Sequence, residues 1–352
     1  MKKTYSKYWD LFEQREKETI DHLKRDTLPP PLRRLSVHIT SKCNLRCVYC
    51  NETHKNKELP QEQFNSLVTK YSKLGGGILH ITGGEPTTVS YFDKAIRFAS
   101  SHKNVEVHLN SNLVSSRINM DTLQQVRRLK VSLDTCEASE FDMMVRKSGA
   151  YTKVLANLDK VAKLSVNTRP FTSITYTVTK QNMHKMAAFA KMCKERLPFL
   201  YAVFFSCYKG NNPDLYFTAK DIKLLTKEIL PAVRAQLKIN EDTESLWLLN
   251  NSHDSKTFVQ GIRFRDNKNM PCYLQLSELT VDEKGHCYLC SHLYRDGVGK
   301  MSHSTIDSSL EDIMSEKGEY INVLPVSYKC LYGCNKKLVH FNKNVHKQLS
   351  KE

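Results

Sequence analysis

Three cysteines, Cys43, Cys47 and Cys50, stand in the run Thr-Ser-Lys-Cys-Asn-Leu-Arg-Cys-Val-Tyr-Cys, a C-x3-C-x2-C spacing directly after an alternating apolar segment. Three thiolates on one short loop suit an iron–sulfur cubane that keeps its fourth iron open to a non-protein ligand, an opening that a closed four-cysteine site lacks. Zinc competes for the same residues, because Cys47, Cys50 and His54 form C-x2-C-x3-H and Cys43 would complete a tetrahedral set. Further along, the run from Gly75 to Pro86 reads as a short strand opening into Gly83-Gly84-Glu85-Pro86, which alone is only a turn signal.

The two motifs together resemble the radical S-adenosylmethionine (SAM) enzymes. The resemblance implies that Cys43, Cys47 and Cys50 hold a 4Fe–4S cluster, that SAM chelates its fourth iron, and that Gly83, Gly84, Glu85 and Pro86 receive the methionine end of SAM. It implies also that one electron enters the sulfonium and releases a 5′-deoxyadenosyl radical, the cofactor carrying the hard chemistry and the protein positioning it. Ser111 and Asn112 are similar to the family's ribose-contacting turn, with Leu113 at the usual glycine position. Ser132 and Asp134, followed by Arg146, resemble the segment whose Ser and Arg bind the SAM carboxylate, at a slightly longer spacing; an Arg can grip a carboxylate at two points. The alternative for Ser132 is a core hydroxyl and for Arg146 a surface cation, and the functional reading is favoured because both flank one strand end. Tyr49 is expected near adenine by the same resemblance, or in simple packing.

The elements that must position these residues alternate. Leu35, Val37 and Ile39 give a first strand at period two, and further strands read at 78–82, 105–109, 130–134, 173–178 and 201–205. Helical patterns fall near 61–74, 91–101, 120–129, 151–164, 183–196 and 218–229. Repeated βα units imply an α/β fold with a parallel sheet, and the resemblance makes it a partial (β/α)6 barrel of the TIM type, with a small C-terminal cysteine-rich domain. In such barrels the site lies at the carboxyl ends of the strands, which is where both motifs fall. Before it, Tyr5, Tyr8, Trp9, Phe12, Ile20 and Leu23 mark a packing helix over 5–23, and Pro29, Pro30 and Pro31 a stiff connection. The division expected is a helical extension over 1–32, the barrel over 33–235, a connecting segment over 236–265, an auxiliary domain over 266–340 and a basic tail over 341–352.

Cysteines return as Cys272, Cys287, Cys290, Cys330 and Cys334. Cys272, Gly285 and Cys290 resemble the opening of the SPASM/twitch extension of many radical SAM enzymes, and Cys330 and Cys334 would close an auxiliary 4Fe–4S cluster with Cys272 and Cys290. Cys287-x2-Cys290 could instead begin a zinc knuckle finished by Cys330 and Cys334. In the iron–sulfur reading Cys287 is a substitute ligand or a hydrogen-atom donor. Cys207 and Cys136, near strand ends, could donate a hydrogen atom to a substrate radical or pack as small buried side chains, and Cys193 reads as core.

The chain of 352 residues has a net charge of +16. That charge admits an anionic partner, whether an acidic peptide, a nucleotide or RNA, or an acidic flavodoxin or ferredoxin electron donor, and equally a merely solvated basic surface. Mean hydropathy is −0.49, no apolar run approaches the roughly 18 residues of a spanning helix, and no signal peptide is visible, so no membrane partner is expected and the grouped cysteines read as reduced, cytoplasmic, metal-binding thiols. By resemblance the leading reading is hydrogen-atom abstraction in peptide or protein modification. Chemistry on a nucleotide, sugar or RNA is the second, although the C-x2-C-x13-C of molybdenum-cofactor biosynthesis enzymes is not matched. A SAM-binding regulatory protein without catalysis is the third.

Overall fold

Leu35, Val37 and Ile39 alternate with Arg34, Ser36 and His38 along β1 (Arg34–Thr40), and a computed structural model of the chain turns that period into a sheet with two unlike faces. It describes residues 16–25, 32–50, 52, 54–116, 118–208, 210, 212–237, 272–295, 297, 299–323 and 336–350. β2 (Gly77–Gly83), β3 (Val105–Ser111), β4 (Arg128–Ser132), β5 (Phe171–Val178) and β6 (Ala202–Cys207) follow, each parallel to the one before and beside it. Parallel neighbours need crossovers, and right-handed crossovers taken always in one direction put their helices on one face. Leu35, Val37, Leu79, Ile81, Val107, Leu109, Leu129, Val131, Ile174 and Phe205 form the buried core on that side. The alternate positions, among them His80, His108, Asn110, Arg128, Lys130 and Ser132, belong to the other, inner face. β6 does not pair with β1, so this is a partial (β/α)6 barrel.

Counting the helix over 16–24 as α1 and Met120–Leu123 as α4, the helices on the outer face include α2 (Gln61–Lys73), α3 (Phe92–Ser100), α5 (Ala138–Val145), α6 (Ala150–Ala162) and α7 (Met186–Arg196). The helix expected over 120–129 spans only Met120–Leu123, because the chain is already extended as β4 from Arg128. The last barrel helix starts at Ala219 behind a capping box of Thr218 and Asp221, and runs through a π turn to Leu237. No helix among the described residues is long and apolar enough to cross a membrane.

The sheet then grows from its other edge. β7 (Glu278–Val281) pairs parallel to β1, and β8 (His286–Tyr288) and β9 (Lys300–Ser304) continue antiparallel, giving nine strands in one sheet among the described residues. The C-terminal region is therefore an extension of the barrel sheet rather than a separate layer. Residues 16–24 are helical, and Ile20 and Leu23 pack with Tyr273, Leu276, Phe341, Val345 and Leu349. The expected basic tail is thus mostly a packed helix, Lys336–Leu349, with Phe341 and Val345 fully buried. Tyr5, Tyr8, Trp9, Phe12, the three prolines, 238–265 of the connecting segment, Cys330 and Cys334 lie outside the described residues.

The helix Leu310–Val323 fastens this extension through two adjacent buried charges. Lys317 donates to the carbonyls of Glu278 and of Leu289, the latter at 2.8 Å. Glu316 accepts from Ser302 N and Oγ at 2.7 and 2.6 Å, from His303 N at 3.0 Å and from His303 Nδ1 at 2.7 Å. Burial alone would raise the Glu316 pKa, but these bonds to its charged form bring it from the ordinary 4.5 to about 2. A carboxyl whose pKa falls on folding contributes stability above its unfolded pKa and loses it as the pH drops towards the folded one. Glu316→Gln is therefore expected to remove about 3 kcal/mol of stability at pH 7 and nothing near pH 2. Urea unfolding of both proteins across that range checks it; a constant difference would show that the charge is idle.

Candidate functional site

The cysteine loop is held from three sides, two of them by main-chain bonds. Gly84 N donates to Thr40 O and Glu85 N to Lys42 O, both at 2.7 Å, which ties the end of β2 to the start of the loop. A Cβ on Gly83 would strike Thr40 O and one on Gly84 would strike Lys42 O, and Gly83 has φ 125°, so only glycine allows this approach. On the second side Arg46 N donates to Val145 O at 3.1 Å, Val48 N to Met144 O at 2.9 Å, and Lys147 Nζ to Asn44 O at 3.1 Å. From the end of β3, Asn112 Nδ2 donates to Asn44 Oδ1 at 2.7 Å and lies 3.9 Å from Cys43 Sγ.

Glu85 is 1% exposed, and both its oxygens are engaged. Oε1 accepts from Thr87 N at 3.1 Å, Thr87 Oγ1 at 2.7 Å and Ser111 Oγ at 2.8 Å, and Oε2 accepts from Asn112 N at 2.6 Å. Burial pushes its pKa up against the pull of these donors. Glu85 thus joins the ends of β2 and β3 as well as flanking the cysteine loop. Pro86 opens the short turn behind it. Leu113 keeps the left-handed backbone that its position demands, at φ 55°, while fully buried. A non-glycine residue held there costs about 1–2 kcal/mol, less than the roughly 2–5 kcal/mol lost when a buried Leu is cut back, so packing outweighs the strain.

β4 contributes a second buried carboxylate. Asp134, wholly inaccessible, accepts from the Tyr49 hydroxyl and from Thr177 N at 2.5 Å, and burial raises its pKa to about 6. Tyr49 is therefore pinned between Cys47 and Cys50 by its phenol. Ser132 ends β4 exposed on the inner face. Arg146 is exposed and caps α5 in a left-handed conformation at φ 53°, next to the Met144 and Val145 carbonyls that grip the loop.

Three thiols on one loop form a donor set for a positively charged metal group. Burial raises the Cys43 pKa to about 11 and the Cys47 pKa to about 12, so ionising them calls for a strong positive charge on the loop. Cys50 is exposed. Among the described residues no three His, Cys, Asp or Glu side chains converge on a single-ion site. Zinc takes its donors about 2.0–2.3 Å from one centre, whereas a cubane takes each thiolate on a different iron.

In the C-terminal extension burial lowers the pKa of the Lys317 ammonium to about 8, against the pull of Cys290, Glu278, Cys287 and Cys272. Asn342 Nδ2 lies 3.8 Å from Cys272 Sγ. Cys287 is fully buried in the core, its thiol raised to about 12 by burial. Cys207 packs on the helix-covered face. Cys136 is half-buried among α5, α6 and α7, where the Tyr151 hydroxyl donates to its carbonyl at 2.8 Å. None of the three expected hydrogen donors lies on the inner face. Lys317 was not singled out in the sequence, although its spacing from Ile313 and Met314 repeats the helix's buried positions.

A profile described as the Radical SAM superfamily matches residues 37–193. The chain is 29% identical over 139 residues to a probable GTP 3′,8-cyclase of Methanocella arvoryzae, covering 39% of this chain and 45% of that protein. It is 28% identical to the AdoMet-dependent heme synthase of Methanosarcina barkeri over 52% of this chain and 53% of the other. A GTP 3′,8-cyclase of Clostridium botulinum is 27% identical over 63% of this chain and 70% of its own length. The matched stretch thus spans 45% and 53% of the first two relatives. Among solved structures, Streptococcus suis SuiB bound to precursor peptide SuiA superimposes with a TM-score of 0.61 at 15% identity, covering 87% of this chain and 70% of SuiB. Native anSMEcpe with bound AdoMet gives 0.60 at 16%, covering 91% and 96%. These two likenesses are ones of fold.

Proposed function

The chain belongs to the radical SAM superfamily, and from that membership we propose that it cleaves SAM reductively and abstracts a hydrogen atom from its substrate. The observation that carries the reading is the loop of Cys43, Cys47 and Cys50 bonded through its backbone to Gly84 and Glu85 at the carboxyl end of the sheet. The three thiolates would hold a 4Fe–4S cluster, which supplies the electron that breaks the sulfonium bond of SAM. Glu85 and the glycines flank the position for the methionine end, Ser132 and Arg146 would meet its carboxylate, and Ser111, Asn112 and Tyr49 would lie along the nucleoside. An acidic flavodoxin or ferredoxin is the donor that the net charge of +16 favours. The reaction belongs in the cytoplasm, where thiols stay reduced.

For the substrate we favour a peptide, because 87% of the chain follows the fold of SuiB bound to its precursor peptide and 91% follows that of anSMEcpe. The GTP 3′,8-cyclase relatives favour a nucleotide as the second reading. An auxiliary cluster on Cys272, Cys290, Cys330 and Cys334 is supported by the return of cysteines after the barrel, Cys272, Cys287 and Cys290 all acting on the charge of the buried Lys317. Anaerobically reconstituted protein, given dithionite and SAM, is expected to form 5′-deoxyadenosine and to hold about eight irons, against about four with one cluster. Absence of the nucleoside sinks the proposed activity, and zinc in place of the second four irons sinks the auxiliary cluster.

A further inference from the structure

β4 has neighbours on both sides, yet Lys130 at its centre is exposed. An interior strand exposes such a side chain only where its face opens to water. The pairing register sets Lys130 on a rung with Asn110, Ser173 and Ala202, and the rung above it, towards the cysteine loop, holds Ser132, Thr175 and Phe204. Among the described residues neither rung contains a carboxylate. Glu106 and Glu278 lie lower, opposite Ile78 and Arg34 respectively, and Glu106 is bonded to His108 at 2.6 Å. Arg128 stands one inward-facing position below Lys130, opposite His108. Burial, with help from neighbouring cations, keeps His80 and His108 below their ordinary pKa, so the positive charge of this face comes from arginine and lysine.

Two rings accompany the cations. Lys130 Nζ lies 5.8 Å from the Phe204 centroid and Arg128 Cζ 5.8 Å from that of Tyr201. Thr175 Oγ1, beside Ser132, is enclosed without a hydrogen-bond partner among the described residues. Four residues separate Lys130 from Asp134, which the loop's Tyr49 touches; at strand rise that is about 13 Å, the length of a nucleotide or of a four-residue extended peptide.

We propose that Lys130, with Arg128 below it, binds a phosphate or carboxylate carried by the substrate, while Phe204 and Tyr201 wall the part of the molecule beside that anion. This rests on the reading that the inner face is the substrate side of a radical SAM enzyme, and it names the chemistry that side recognises. The test uses reconstituted protein with SAM, titrated calorimetrically with pyrophosphate and separately with a triglutamate peptide at low salt. At least one probe is expected to bind, weakening about tenfold or more in Lys130→Met and in Arg128→Met, as loss of a charged hydrogen bond implies. Lys130→Arg is expected to restore binding, and Lys130→Gln repeats the charge removal should the Met variant fold poorly. Sensitivity confined to pyrophosphate identifies a phosphate, and sensitivity confined to the peptide a carboxylate. No binding of either probe to wild type, or binding to both charge-free Lys130 variants within twofold of it, overturns the proposal. 5′-Deoxyadenosine from the same wild-type preparation, without probes, reports separately on the activity reading.

Discussion

Replacing Cys43, Cys47 and Cys50 together by Ala is expected to abolish 5′-deoxyadenosine formation, a loss of several orders of magnitude, and to leave about half of the iron in place. The two effects separate because the loop follows the carboxyl end of β1, whereas Cys272, Cys287 and Cys290 belong to the segment that carries β7 and β8. The loop's backbone is fixed by Thr40, Lys42, Met144 and Val145 carbonyls, none of which needs a thiol, so the variant should keep its fold. Iron analysis and chromatographic assay of the nucleoside, both anaerobic, check it. Undiminished nucleoside would show that cleavage does not pass through this loop; complete loss of iron would mean that the C-terminal cysteines hold no cluster of their own.

Much of this placement could be read from residue order, for a physical reason. Leu35, Val37 and Ile39, like Val105, Val107 and Leu109, alternate cleanly because one face of each strand packs on helices, and all six barrel strands followed from that period. β7, β8 and β9 did not, being only four, three and five residues long, and their place beside β1 depends on pairing across more than two hundred residues of chain. α5 was also missed: eight residues carry just Phe141, Met144 and Val145 as buried positions, too few for a helical period to stand out. The cysteine loop was legible because ligand spacing is local. The bonds around Glu85 were not, since Ser111 and Asn112 reach it only through the parallel register of β2 with β3. Likewise nothing in the order of residues announces that Tyr49 meets Asp134, or that Lys130 faces open water.

Glu85→Ala is expected to cost about 3–5 kcal/mol of stability as well as SAM affinity, because it strips a buried carboxylate from the four donors that it satisfies. Thr87 would lose partners for its N–H and hydroxyl, Ser111 one for its hydroxyl, and Asn112 one for its N–H, at the point where β2 and β3 both approach the cysteine loop. Glu85→Gln refines the cause. Its oxygen can replace Oε1, but its amide would then face the Asn112 N–H donor to donor, so about half of the loss should remain. Asn112 also holds Asn44 of the loop, so a displaced Asn112 would loosen the cluster's surroundings even where no contact with SAM is lost. Urea unfolding of the anaerobic protein and SAM titration followed by electron paramagnetic resonance separate bracing from direct contact. Weakened SAM binding with an unchanged unfolding midpoint would leave Glu85 as a contact alone; a lowered midpoint with wild-type SAM affinity would leave it as a brace alone. Both losses together are what a carboxylate shared between two strand ends and a ligand requires.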